Sequence, residues 1–424
     1  MKTKYLFFVC LLMLFFSTSY VCYGANYFQE QPKETFTEYR GMVVDRDTKD
    51  PLAFVTITVN DTQISTITNT EGEFLLKVPN GLLDKDISVT FLGYTTKVIP
   101  LSDLNGEEIQ ILLDIAVTQL SEVNIIAPKD ALTLVRAALD RKGNNYFNEQ
   151  STMTAFYRES IKKRRRDASL SEAVVEINKQ PYKSTKTDVV KLIKARKSTN
   201  YGRLDTLALK LQGGPYTALY ADFLKYPEYI FTDNTLSDYE FSFDKSTEID
   251  NKSVYVVKFK QKPSVIDPLY YGKLYIDAQT FALTSAIYNL NIENSELAAD
   301  MFVRKKPNKV TVIPLQAAYR VDYRTIDGQW YYGYSYIQLI FKVDWKGRWF
   351  NSVYSLNSEM VITDVSKKIN DETKSTQLLK PTVILSDEAS GFSDPNFWGE
   401  YNIIEPEKSI ESAISKISKQ LKKS

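Results

Sequence analysis

Short runs in which apolar and polar residues alternate dominate this chain, and helical periods are rare. Near the start, Met42-Val43-Val44 predicts a strand, Asp47 to Pro51 a turn, and Phe54 to Val59 a strand of β-branched residues. Ile87 to Leu92 and Ile109 to Leu113 predict two more. The stretch ISTITNTEGEFLLKVP, Ile64 to Pro79, reads as two strands joined by a tight turn at Asn69-Thr70-Glu71-Gly72. Gly72 then supplies the positive φ of a hairpin turn, and Phe74 and Leu76 alternate inward. Closely spaced strands with no helical period between them predict a small antiparallel sandwich over residues 37–115.

Beyond a linker at 116–128 the period changes once. Ala131, Leu134, Val135, Ala138 and Leu139 recur at helical spacing behind a capping Asp130, and Gly143-Asn144-Asn145 ends the run. Shorter helices are expected at Leu204 to Leu211 and Tyr216 to Lys225. The remainder reads as long aromatic strands, among them MTAFYRESI, SVYVVKFKQK, YRVDYRTIDGQWYYGYSYIQLIFKVDW and SVYSLNSEMVITDV. Turns at Asp277-Ala278-Gln279, Asp327-Gly328 and Lys346-Gly347 separate them. Consecutive hairpins predict a large, curved antiparallel sheet over 129–405, with helices on one face and solvent on the other. Alternation places Arg158 and Glu159 on opposite faces, and Trp330, Tyr332, Tyr334 and Tyr336 together against Tyr331. A last apolar stripe, Ile410, Ala413, Ile414, Ile417 and Leu421, predicts an amphipathic helix within 406–424. The fold class is therefore mainly β: a sandwich followed by an α+β domain.

Composition adds a compartment. Lys2 and Lys4 precede an apolar run from Tyr5 to Phe16, and Cys22 and Gly24 frame a cleavage point before Ala25, the pattern of a secretory signal peptide over 1–24 followed by a polar leader, 25–36. Cys22 also permits an acylated lipoprotein, although bulky Tyr20 beside the cut disfavours it. Cleavage after Gly24 removes both cysteines, Cys10 and Cys22, and the sequence contains no histidine. A cysteine nucleophile, a Ser-His-Asp triad, a disulfide framework and a His- or Cys-ligated zinc are thereby excluded from the mature chain. Charge is balanced, 53 basic against 52 acidic residues, which gives no general attraction to nucleic acid.

GMVVD at Gly41 to Asp45, PLAFV at Pro51 to Val55, TITNTEGEF at Thr66 to Phe74 and VTFLGYTTKVI at Val89 to Ile99 together resemble the carboxypeptidase-regulatory-like domain. The resemblance implies a transthyretin-like sandwich serving as an accessory module. Where relatives carry an acidic Asp-Glu-Asp-Gly turn, this chain has Asn69-Thr70-Glu71-Gly72, which makes a calcium site there doubtful. QLSEVNIIA, from Gln119, resembles the segment that follows this module in TonB-dependent receptors and related Bacteroidetes envelope proteins. FYRESI, LSEAVVEI, YYGKLYID and DPNFWGEYNII resemble an uncharacterised domain found after the module in such proteins.

Two constellations are candidate ligand contacts. Arg164 and Arg165, within the run Lys162 to Arg166, can grip phosphate, although a charged hairpin tip is the simpler reading. Trp398 and Tyr401 can stack on a sugar ring, although a clamp packing the chain's end onto the sheet is the simpler reading. No catalytic, cofactor-binding or metal-ligating residue is assigned, and no cofactor is expected. The expectation is an exported, non-enzymatic binding or assembly protein, periplasmic or peripherally associated with the outer membrane, whose ligand is a glycan, lipid or protein. The alternative is a carboxylate-dependent hydrolase acting on glycans or peptides, which requires two facing carboxyl groups.

Overall fold

A computed structural model describes residues 35–104, 109–116, 129–164, 166–199, 212–232, 234–249, 252–303, 307–347, 351–367, 378–391 and 397–407. The signal segment, most of the linker, Arg165, the helix expected at 204–211 and the C-terminal stripe lie outside these residues.

The first seven strands are β1 (Phe36–Asp45), β2 (Thr56–Val59), β3 (Ser65–Ile67), β4 (Glu73–Pro79), β5 (Asp86–Thr90), β6 (Lys97–Pro100) and β7 (Ile109–Leu113). They form two sheets, β4-β1-β7 and β3-β2-β5-β6. Val43, Ile57, Val59, Phe74, Leu76, Val78, Ile87 and Val89 fill the core between them. Two expectations change. β1 pairs with β7 in parallel, so the sandwich is mixed rather than purely antiparallel. β3 and β4 do not form a hairpin: the turn carries the chain from one sheet to the other. Asn69 builds that turn, its Oδ1 accepting from the backbone N–H of Glu71 and Glu73, both at 2.9 Å. Gly72 does adopt positive φ, +76°, and a Cβ there would lie 2.8 Å from the Val43 carbonyl oxygen.

The larger region contains β8 (Ser151–Lys163), β9 (Arg166–Lys179), β10 (Val189–Thr199), β11 (Tyr239–Phe243), β12 (Thr247–Ile249), β13 (Lys252–Gln261), β14 (Tyr270–Asp277), β15 (Leu283–Leu290), β16 (Val310–Ile326), β17 (Gln329–Trp345), β18 (Ser352–Ser366) and β19 (Ser390–Gly391). They make one sheet in the order β11-β13-β14-β15-β16-β17-β18-β8-β9-β10-β19, with β12 also on β13. Every pairing is antiparallel except β10 with β19. The helix Ala131–Asp140 starts where expected, Asp130 accepting from the Thr133 N–H at 2.7 Å. Its buried Ala131, Leu134, Val135 and Ala138 pack with Ala218, Leu219, Phe223 and Leu224 over the inner face of the sheet. The second expected helix is shorter than Tyr216 to Lys225, spanning only Pro215–Leu219.

The opposite face, open over β13 and β14 as expected, is covered over β8, β9, β17 and β18. Ile67 and Leu75 of the sandwich join Phe156, Val174, Tyr334 and Val361 of the sheet, with Trp398, Ile403 and Ile404 between them, in one buried cluster. β4 is consequently buried on both of its faces. Alternation in β17 also breaks: Gly333 is the extra residue where Asp322 faces Tyr334 and Tyr323 faces Tyr332. That bulge turns Tyr332 into the inner core and Tyr334 toward the sandwich. No described helix is long and apolar enough to cross a membrane.

Candidate functional site

Charged side chains inside the molecule are tied to one another. Beneath the helices, Lys179 Nζ lies 2.9 Å from both Asp188 and Asp222, and Tyr182 and Tyr323 each donate to Asp222 at 2.9 Å. Burial opposes the charge on Lys179, but the two carboxylates outweigh it and hold the ammonium above its ordinary pKa. On the sandwich side, Glu172 lies between Arg158, at 2.8 Å, and Arg196, at 2.7 Å. Burial pushes Glu172 up, yet the two guanidinium groups prevail and hold it below the usual range. These groups set packing and present no reactive carboxyl to a ligand. Glu159 differs: burial pushes it up to about 7, against hydrogen bonds from Tyr157 and Ser171. Such a value suits a general acid, but Glu159 lines none of the described cavities.

The cavity with the richest chemistry is a cleft of about 240 Å³ where the sandwich meets the sheet. One wall is the outward face of β2 and β5, where register sets Thr56 beside Thr90 and Thr58 beside Ser88. The facing wall is β16, whose Arg320, Asp322 and Arg324 alternate with the inward Val321 and Tyr323. Arg320 Nε binds Asp322 Oδ2 at 2.7 Å, and Ser285 Oγ donates to Asp322 Oδ1 at 2.5 Å. The Arg320 guanidinium also lies 5.4 Å from the Phe54 ring and 5.7 Å from the Phe91 ring. Phe54 itself sits at φ +66°, a conformation costly for a bulky side chain. Its ring contacts with Tyr334 and Tyr336, centroids 5.7 and 5.1 Å away, help to hold that conformation. Arg324 Nη1 donates to Ser65 Oγ at 2.5 Å and to the Ile362 carbonyl at 3.0 Å, a contact that joins the sandwich to β18. Gly333 gives the Arg324 stem its space, since a Cβ there would lie 2.7 Å from Arg324 Cγ.

A second hollow, a trough of about 820 Å³, crosses the outer face of β11, β13, β14 and β15. Tyr271, Tyr275 and Ile287 line it beside Lys258, Lys260 and Lys273. Those lysines are already paired: Lys258 and Lys273 hold Asp244 at 3.0 and 2.9 Å, and Lys260 holds Glu240 at 3.1 Å.

The residues singled out from sequence lie elsewhere. Trp398 is buried between sandwich and sheet, its ring edge-on to Phe156 and 4.7 Å from the Arg196 guanidinium. Tyr401 is half-buried, with Lys194 Nζ 5.5 Å from its ring. Arg164 occupies the turn between β8 and β9 at φ +56°, its N–H bonded to the Val353 carbonyl at 2.7 Å. Sequence reasoning missed Arg320, Arg324, Thr56 and Thr58. The available signal was the charged, period-two face of YRVDYRTI.

Among the described residues the cleft offers one carboxylate, Asp322, already engaged through both oxygens, and no group of three or more acidic residues able to hold a metal ion exists. Its lining offers hydroxyl, amide and guanidinium groups. The described residues thus form a mainly β protein with a polar cleft where the sandwich meets the large sheet.

Comparison with known families gives one assignment: residues 39–125 match the CarboxypepD_reg-like domain. No curated protein matches the chain. Among solved structures, a LolA-superfamily protein from Nitrosomonas europaea is 12% identical, with 59% of this chain and 100% of that one covered at a TM-score of 0.24. A DUF1329-family protein from Desulfovibrio piger is 10% identical, with 58% and 96% covered at a TM-score of 0.23. TM-scores this low do not establish a shared fold.

Proposed function

We propose that this chain is an exported, non-enzymatic binding or assembly protein of a Bacteroidetes-like cell envelope, with its ligand in the cleft between the sandwich and the sheet. The observation that carries this reading is the cleft's double wall: hydroxyls from β2 and β5 face two guanidinium groups from β16 across a space for a small polar ligand. Hydrolysis through carboxylates needs two facing acids, and one engaged Asp322 does not meet that need. The signal-like residues 1–24 support export, and the regulatory-like module supports an accessory role. In this reading the module spans 37–115 and the sheet domain 129–405, and the pair works as one receptor.

The test is a thermal-shift panel of monosaccharides, short oligosaccharides, lipids and peptides on the purified mature protein, with products analysed by mass spectrometry. Stabilisation by one ligand class that Thr58→Val weakens, with the ligand recovered intact, is expected. Turnover of any panel member overturns the non-enzymatic reading, and stabilisation indifferent to Thr58→Val moves the site away from the cleft. Intact mass of the native protein tests export: cleavage after Gly24 is expected, and an acylated Cys22 overturns it.

A further inference from the structure

Two residues that line the cleft from opposite walls, Arg324 and Gln63, bring buried polar atoms to it. Among the described residues Nε and Nη2 of Arg324, and Oε1 of Gln63 on the opposite wall, are buried with no well-formed hydrogen bond, the Tyr331 hydroxyl standing close enough to Arg324 to support its charge. Buried donors and acceptors in folded proteins are almost always satisfied, and an unpaired guanidinium edge is among the costliest exceptions. Burial lowers the pKa of Arg324 from its ordinary value, against the charge and hydrogen bond of Tyr331 and the charge of Asp322. Arg320 stands closer to solvent, its side chain 14% exposed, and only its Nε is engaged by Asp322.

From this complementarity we infer that the cleft recognises an acidic saccharide, a polyhydroxylated ring bearing a carboxylate or phosphate. The acid group lies against Arg320 and Arg324, and the ring hydroxyls meet Thr56, Thr58, Thr90 and Gln63. This rests on the reading of the cleft as the binding site. Three physical arguments carry the class. A guanidinium edge matches the two oxygens of a carboxylate or phosphate through parallel charge-assisted bonds. Gln63 Oε1 requires a donor, which acetate lacks and a sugar hydroxyl supplies. The volume, about 240 Å³, falls below the roughly 300–1,000 Å³ of drug-sized ligand sites, which restricts the occupant to one ring or one terminal residue of a longer chain. Phe91 adds an apolar surface on which the less polar face of a ring can rest.

Isothermal titration of the full mature chain with glucuronate, galacturonate, glucose 6-phosphate, glucose, acetate and inorganic phosphate tests the inference. At least one acidic sugar is expected to bind roughly tenfold or more tightly than glucose, acetate or phosphate, the gain typical of charge-assisted bonds. Comparing the uronates with the sugar phosphate identifies the acid. Arg320→Gln, at the more accessible site, is expected to remove that preference with only a modest fall in melting temperature from the released Asp322. Gly333→Ala is expected to weaken that preference by displacing Arg324, with a lower melting temperature because the Arg324 bonds to Ser65 and the Ile362 carbonyl are disturbed. Thr58→Val is expected to weaken every sugar and leave acetate unaffected. Glucose binding as tightly as glucuronate would overturn the acidic class while the cleft reading stands. Acetate or phosphate binding as tightly would reduce the cleft to a simple anion site. If no sugar of either kind binds, this inference fails, and the cleft reading is then decided by whether a lipid or peptide stabilises the protein in a way that Thr58→Val weakens.

Discussion

Single residues fix the interior by charge, and two of them give opposite responses to the same kind of burial. Lys179 is held by Asp188 and Asp222, so Lys179→Met leaves two buried carboxylates facing each other without a cation. Losing one partner of such a group costs about 3–5 kcal/mol, which a urea titration of the variant against the parent reads directly. Glu159 has no cation paired with it among the described residues. Its pKa rises from 4.5 to about 7, so the folded state binds its proton more tightly than the unfolded state. Stability from this group is complete below the unfolded value and is lost as pH rises through about 7. Glu159→Gln is expected to stabilise the fold at pH 8, by on the order of 3 kcal/mol at most, and so to raise the melting temperature there while changing it little at pH 4. A variant equally stabilised at both pH values would show that the effect is packing rather than proton linkage.

At the scale of elements, β4 shows what patterning can and cannot convey. Phe74 and Leu76 pack into the sandwich core, whereas Leu75 packs against the sheet. Leu76→Ala and Leu75→Ala are each expected to destabilise by about 2–5 kcal/mol, but through different surfaces. Hydrogen exchange separates them: Leu76→Ala should raise exchange throughout β1, β2 and β5, and Leu75→Ala chiefly where β3 and β4 meet the sheet. The sequence shows the inward half of this strand through its alternation. It does not show the outward half, because an uninterrupted apolar run, Phe74-Leu75-Leu76, states that both faces are buried without naming the second partner. The turn before it is similarly ambiguous, since Asn69 and Gly72 serve a crossover between sheets as well as they serve a hairpin. Most strands of the large sheet, and the helix capped by Asp130, were legible because local period and turn chemistry determine them. The cleft was not legible, because Arg320 and Thr58 become neighbours only when β16 and β2, remote in sequence, are docked face to face. In β17 a single bulge at Gly333 undid the expected aromatic face.

Over the whole molecule, docking of the sandwich depends on the segment Phe397–Glu407, threaded between the two parts. Asn402 Oδ1 accepts from the Lys77 N–H at 2.7 Å, and Asn402 Nδ2 returns a bond to the Lys77 carbonyl at 3.1 Å. The Ile403 carbonyl accepts from Thr66 Oγ1 at 3.1 Å, and the Ile404 carbonyl from Arg158 Nη2 at 2.7 Å. Arg40 reaches Glu405 at 2.5 Å, while Glu407 bonds both Thr70, at 2.5 Å, and Lys162, at 3.1 Å. One short segment thus satisfies polar groups on both sides and inserts Trp398, Ile403 and Ile404 into their shared apolar cluster. Ending the chain after Asn396 removes these contacts together, leaves Arg158 short of an acceptor and opens the cluster to water. Calorimetry of the full chain is then expected to show the sandwich and sheet melting in one cooperative transition, and the shortened chain to show two, the first from the sandwich. The cleft should lose affinity in the shortened chain as well, because its two walls belong to the two parts. A single transition at an unchanged temperature, with ligand affinity preserved, would mean that Ile67, Leu75 and the bond from Arg324 to Ser65 hold the parts together without the segment.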